Sequence, residues 1–325
     1  MQGSPRSDPD RPGGPPRRRR LWAWGQLLRL PNLFTVPGDP LAGFLLAQAA
    51  GLSATKPGLR MALAALVSLL LYAAGLLWND WFDLPEDRRE RPDRPLPAGL
   101  IRPATVALAA NVLVALAVAV AAVAGRETLY VAMALGAAVL VYDALAKRVR
   151  IVGPLLMGSC RGLSVLVGAA GFGLAGLRSP AVVAYAAGTT LYIAAVTWLA
   201  SGETRRRPVG PQAGAIAAVA VAWLLGVYVA ARPACAAPAS CMLPAIRYCL
   251  WAGLAVVWVG LTLSGVVRRP EPGVVQASVG RLLCGLVLVQ AAAATLAGPI
   301  GLHVALGLTA CAVANNLLAR RFYAS

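Results

Sequence analysis

The sequence predicts an all-α polytopic membrane helix bundle, on three observations. Of its 325 residues 58% are hydrophobic and only 13% charged, with a mean hydropathy of +0.68. That balance belongs to chains whose solvent is partly lipid. Apolar stretches long enough to cross ~30 Å of hydrocarbon recur along the chain. The segments between them alternate between basic and nearly charge-free, the pattern that membrane orientation imposes on loops.

Residues 1–20, MQGSPRSDPDRPGGPPRRRR, have little apolar content to bury and are expected to be a disordered basic tail, leaving one transmembrane domain over 21–325. Arg17 to Arg20 precede an apolar segment with no small-residue cleavage site after it, so that segment is expected to be a retained first span. Ten spans are expected, near 28–50, 59–79, 103–124, 128–146, 152–176, 181–201, 212–231, 244–267, 281–297 and 300–318. Connections at 1–29, 80–102, 147–150, 204–207, 268–281 and 319–325 carry 23 of the 30 basic residues, and the opposite connections carry six. The first set is therefore expected to be cytoplasmic, with both termini inside and an even number of spans.

This topology accounts for most of the +17 net charge. Nucleic acid is not an expected partner, because no basic patch is interleaved with aromatics and no zinc-finger spacing occurs. One histidine, His303, argues against bis-histidine haem, multi-histidine zinc and Ser-His-Asp hydrolysis. The six cysteines form no CxxC pair. Cys235 and Cys241 share one loop and are either a disulfide, if it faces an oxidising compartment, or two free thiols.

The acids are the informative group. Six of thirteen fall between Asp80 and Asp93, in the loop after the second span. Asp80, Asp83 and Asp87 are spaced i, i+3, i+7, which places them on one face of a helical backbone. Three mutually repelling carboxylates suit a divalent cation, and Mg²⁺ takes one or two carboxylates plus water and substrate phosphate oxygens. Arg88, Arg89, Arg91 and Arg94 among them suit bidentate phosphate recognition. Pro85 is expected to end one helix and start another from its first turn. The competing reading is a solvated cytoplasmic loop of mixed charge.

The run Asn79-Asp80-x-x-Asp83-x-x-x-Asp87, followed by Arg91-Pro92-x-Arg94-Pro95-Leu96-Pro97-x-Gly99, resembles the first aspartate-rich motif of the UbiA superfamily of intramembrane prenyltransferases. In that family it lies in the cytoplasmic loop between the second and third spans, where loop charge places it here. Tyr142-Asp143-x-x-x-Lys147, the opening Leu30-Pro31-Asn32-Leu33-Phe34-Thr35 and Met157-Gly158-x-Cys160-Arg161-Gly162 are similar to family segments. The resemblance implies nine to ten transmembrane helices around a central cavity open to the cytoplasmic side. It departs from the family where a second aspartate-rich motif is usual: residues 197–207 hold a single acid, Glu203, followed by Arg205 to Arg207.

The function the resemblance implies is Mg²⁺-dependent transfer of a prenyl group from an isoprenyl diphosphate to a small aromatic, quinone-precursor or cyclitol/alcohol acceptor within the membrane. The expected metal set is Asn79, Asp80, Asp83, Asp87 and Glu203. Arg91, Arg94, Lys147 and Arg205 are expected on the diphosphate, and Asp83, Asp87, Lys147 and Arg161 are the expected catalytic groups. Arg29, Asn32, Asp39 and Tyr142 are expected to meet the acceptor. For the proton-accepting base, Asp39, Asp143 and Glu203 stand as candidates. Arg161 lies mid-span, where an arginine costs at least ~2.5 kcal/mol unless it faces a polar cavity or a partner. It contacts either an anionic substrate or a structural partner, with Asp143, Asp39 and a carbonyl as options. Pro37 and Pro40 around Asp39 predict a broken first helix lining a cavity. Gly158, Gly162, Gly168 and Gly171 are expected to permit close helix packing. A bacterial plasma membrane is the expected location. The rival reading is a polytopic transporter or lipid-binding protein whose acidic cytoplasmic loop is a gate.

Overall fold

The computed structural model describes residues 17–29, 33, 35–201, 209–231 and 238–322, and every regular element in them is helical. In chain order these are α1 (Arg17–Leu27), α2 (Gly38–Ala49), α3 (Pro57–Phe82), α4 (Leu84–Glu90), α5 (Pro103–Ala124), α6 (Arg126–Ala144), α7 (Val152–Ala169), α8 (Gly173–Leu177), α9 (Pro180–Ala200), α10 (Gly210–Ala231), α11 (Pro238–Arg268), α12 (Pro272–Thr295) and α13 (Gly298–Phe322), with 3₁₀ turns at Ala146–Arg148 and Ala170–Phe172. Prolines open α3, α5, α9 and α12, where a missing N–H costs nothing and the fixed φ favours the first turn.

Among the described residues eight helices are long and apolar enough to cross a membrane. Large apolar side chains such as Leu108, Val123, Leu225 and Leu261 stand exposed on their outer faces, as lipid-facing positions require. The chain is an integral membrane helix bundle.

Three boundaries differ from the sequence expectation. The segment 28–50 is not one span: it turns at 35–37 and only α2, twelve residues long, is helical beyond. Pro37 at its N-cap and Pro40 in its first turn account for the break. Helix α12 starts at Pro272, nine residues before the expected 281, so the link after α11 is short and Arg281 lies within the helix. The arginines at 17–20 open α1 rather than ending a disordered tail, arginine being a good helix former continuous here with an apolar run. The rest of that tail, 1–16, and Cys235 lie outside the described residues, as does the side chain of Cys241.

The short α2 sits at the centre. It packs on α7 and α12 and touches α3, α9 and α13, and nine of its residues are buried, Asp39 among them. Small residues let it in. A Cβ on Gly168 would strike the Pro40 carbonyl, and one on Gly43 would strike the Val165 carbonyl, so the α2 and α7 backbones approach as closely as glycine allows. Gly158 and Gly162 serve α7 against α9 in the same way, facing Thr190. Backbone atoms offer no rotamer to yield. Gly168→Ala is therefore expected to lower stability by about 1–3 kcal/mol, read as a drop in the thermal melting temperature of the detergent-solubilised chain.

Candidate active site

The acidic loop forms a compact cap over the end of α3. Helix α3 stops at Phe82, Asp83 is the junction, and α4 begins at Leu84 with Pro85 in its first turn. The 91–99 segment then folds back, with Leu84, Leu96 and Ile101 buried against Ala23 and Leu27 of α1, Leu77 of α3 and Val106 of α5. Gly99 turns the chain at φ 72°, a conformation that disfavours any residue with a Cβ. The Leu96-Pro97-x-Gly99 ending of the loop is thus an anchor followed by a turn that favours glycine.

The cap fixes the charges. The 3₁₀ turn after α6 swings Lys147 back, so that its Nζ lies 2.6 Å from Asp83 Oδ1 and donates to Asn79 Oδ1 at 3.4 Å. Arg94 Nη1 donates to Asp87 Oδ2 at 2.8 Å, and Asp87 is buried. Asp80, also buried, lies 3.9 Å from Arg29 Nη2. Arg148 reaches the exposed Glu86 at 3.4 Å. Each loop acid near α3 therefore stands beside a base. Among the described residues no three His, Cys, Asp or Glu side chains form a ready cation cage. Arg91 is exposed.

Below this rim lies a cavity of about 240 Å³ between α3, α6 and α7. Asn79, Arg29 and Tyr142 line it, and Asn79 joins it to the rim through Lys147. Its walls are Leu71, Leu76, Leu135, Val139 and Met157. Gly75 lets Val139 of α6 pack directly on α3 at this wall, because a Cβ there would meet Val139 Cγ1 at 2.6 Å. Asp143, 3% exposed, and Arg161 also line the cavity.

Arg161 finds the structural partner among its expected options. Its Nε lies 2.9 Å from Asp39 Oδ2, with the Asp39 side chain fully buried, although the pair is not aligned as a hydrogen bond. Gln290 of α12 donates from Nε2 to Asp39 Oδ1 at 2.7 Å and to the Thr35 carbonyl at 3.1 Å. A charge pair, an amide and the broken entry of α2 are thereby tied together at membrane depth.

The structure thus gathers Asn79, Asp80, Asp83, Asp87, Arg94, Lys147 and Arg29 at one rim, and Tyr142, Arg161 and, through it, Asp39 around the adjoining cavity. Asn32, Glu203 and Arg205 lie outside the described residues. Sequence reasoning missed Gln290. Its signal was a lone amide in the apolar run Leu-Val-Leu-Val-Gln290-Ala-Ala, costly in a span unless it is bonded.

A family model described as UbiA prenyltransferase family matches residues 40–277. A digeranylgeranylglyceryl phosphate synthase of Metallosphaera sedula is 30% identical over 141 residues, 43% of this chain and 49% of that protein. One of Methanoculleus marisnigri is 32% identical over 161 residues, 50% of this chain and 52% of that protein. The chain spans about half the length of these curated relatives. Among solved structures, a UbiA homolog from Aeropyrum pernix K1 superposes with a TM-score of 0.61 at 20% identity, over 80% of this chain and 96% of that one. A UbiA homolog from Archaeoglobus fulgidus bound to GPP and Mg²⁺ gives 0.54 at 14% identity, over 82% and 99%. These likenesses establish a shared fold.

Proposed function

The chain belongs to the UbiA prenyltransferase family, and we propose that it transfers a prenyl group from an isoprenyl diphosphate to a small acceptor held in the membrane cavity, with Mg²⁺ as cofactor. The observation that carries this reading is the Asp83–Lys147 pair at 2.6 Å, bridged by Asn79 into the cavity. It sets cation ligands and phosphate-binding cations side by side at the mouth of an apolar chamber. The names of the two relatives and the GPP and Mg²⁺ bound by the Archaeoglobus homolog are in keeping with it.

The donor set fits Mg²⁺. Asn79 at the end of α3, Asp83 at the junction and Asp87 in α4 offer hard oxygen atoms, and Mg²⁺ needs only one or two carboxylates when phosphate and water complete its shell. Asp80 and Glu203 are the further ligands we propose. Bound there, Mg²⁺ supplies charge neutralisation to the diphosphate oxygens. Lys147 and Arg94, with Arg91 and Arg205, take the remaining phosphate oxygens and stabilise the charge on the leaving diphosphate. The apolar walls keep water from the allylic carbon. Arg29 and Tyr142 line the cavity where we propose an acceptor enters, the Arg161–Asp39 pair shapes its end, and Asn32 is a further proposed acceptor contact. The acceptor classes that suit such a chamber are aromatic, quinone-precursor and cyclitol or other alcohol. We further propose that the 80–102 loop and the N-terminus lie on the cytoplasmic face of a bacterial plasma membrane; loop charge supports the cytoplasmic side. Residues 21–325 form the catalytic domain.

A transporter with an acidic gate would hold its charges near the midplane for passage, whereas these sit in a capped rim. Limited proteolysis separates the two readings. A non-hydrolysable geranylgeranyl diphosphate with Mg²⁺ is expected to slow cleavage within residues 80–102, and EDTA to abolish that protection. Cleavage unchanged by ligand and chelator would count against the enzyme.

A further inference from the structure

We propose that Asp143 is the group that takes the proton from the acceptor, and that the acceptor's reacting group is a neutral hydroxyl of an alcohol or phenol. The assignment rests on the prenyltransferase reading above and deepens it.

Asp143 is the one carboxylate among the described residues lining the cavity. It is 3% exposed, and its Oδ2 has no hydrogen-bond partner among the described residues. An unpartnered carboxylate oxygen at such a position is costly, so its persistence points to a ligand that completes it. The space beside it is the cavity itself, which Asp143 lines together with Asn79, Tyr142 and Met157. Asp143 lies near the end of α6, four residues before Lys147, whose Nζ holds Asp83 at the diphosphate rim. A group bonded to Oδ2 would therefore sit between the leaving diphosphate and the apolar chamber. Of the other buried carboxylates, Asp39 is committed to Gln290 and Arg161, while Asp80 and Asp87 stand beside Arg29 and Arg94 at the rim.

The same arrangement selects the acceptor. A carboxylate at the reacting point repels an anionic head, and the positive charge of Arg161 is already balanced by Asp39. The other polar groups on the wall include the Tyr142 hydroxyl and the Ser68–Ser164 pair, in which Ser164 Oγ donates to Ser68 Oγ at 3.0 Å, and such uncharged groups suit a neutral hydroxylated molecule. In the reaction the allylic carbon–oxygen bond breaks and its electron pair leaves on the diphosphate. The acceptor hydroxyl oxygen supplies the pair for the new carbon–oxygen bond, and its proton passes to Asp143 Oδ2.

The test uses the full chain in vesicles made from lipids of cells deleted for its gene, supplied with Mg²⁺ and tritiated geranylgeranyl diphosphate. Binding is read separately with geranylgeranyl thiolodiphosphate. Asp143→Asn is expected to bind the thiolodiphosphate within about threefold of wild type, while kcat for transfer falls by about 100-fold or more. Asp143→Glu, which keeps the carboxylate, is expected to transfer faster than Asp143→Asn. Transfer by Asp143→Asn within about threefold of wild type would overturn the assignment. So would loss of thiolodiphosphate binding along with transfer, which would make Asp143 a support for Lys147. A wild-type chain that neither binds nor transfers overturns the prenyltransferase reading itself, and the assignment with it.

Discussion

Asp83→Asn is expected to lower Mg²⁺-dependent prenyl transfer by about 100-fold or more, the scale for removing one group that stabilises charge in a transition state. The chain should still insert and fold. Asp83 sits at the α3–α4 junction with its backbone N–H bonded to the Asn79 carbonyl, and asparagine preserves that turn. What is lost is the negative charge that pairs with Lys147 at 2.6 Å and that the proposed mechanism uses to ligate a cation. A plain structural salt bridge is distinguished by exchanging the partners. Asp83→Lys with Lys147→Asp would restore an ion pair across the same gap, yet it moves the carboxylate off the helix end and away from Asn79. The exchanged chain is expected to regain melting temperature and to stay inactive in transfer of tritiated geranylgeranyl diphosphate. Activity returning with the exchange would contradict the assigned roles.

The second large effect belongs to the buried charge pair. Arg161→Met leaves Asp39, fully buried, facing only the Gln290 amide. Removing one partner of a buried pair costs about 3–5 kcal/mol, because the other charge remains without compensation. Denaturation of the Arg161→Met chain should show a loss on that scale. The double replacement Asp39→Leu with Arg161→Met removes both charges, and is expected to recover most of the stability, as a non-additive cycle between contacting residues does. The recovered chain should still turn over poorly, since α2 would lose the Gln290–Asp39 tie that seats its broken entry. Additive losses in the cycle would mean that the two side chains do not act as a pair.

Much of the site was legible because polar residues are scarce in this chain, so each one inside or beside a span needs a reason. The loop from Asn79 to Gly99 showed its acids, its arginines and the helix break at Pro85, and the structure has that break at Asp83–Leu84. The proline pair around Asp39 foretold a broken helix, and glycines on α7 foretold close packing. Spacing along the chain carries no information on partners far apart in sequence. The Asp83–Lys147 and Asp39–Gln290 contacts span 64 and 251 residues, and each depends on which helices become neighbours. Arg161 had three possible partners in sequence, and only the insertion of α2 against α7 selects Asp39. The start of α12 differs because 268–281, with its three basic residues, is taken as a connection in sequence, although proline in a first turn and a following run of apolar and small residues also begin helices.

The central claim, that this chain attaches a prenyl group to a membrane-held acceptor, is tested most directly by mass spectrometry of total lipids from cells with and without the gene. The account predicts a lipid found only when the gene is present. It also predicts a precursor that accumulates in its absence and is lighter by one prenyl unit in place of a hydrogen. Identical lipid profiles in the two cell lines, with no accumulating precursor, would contradict it.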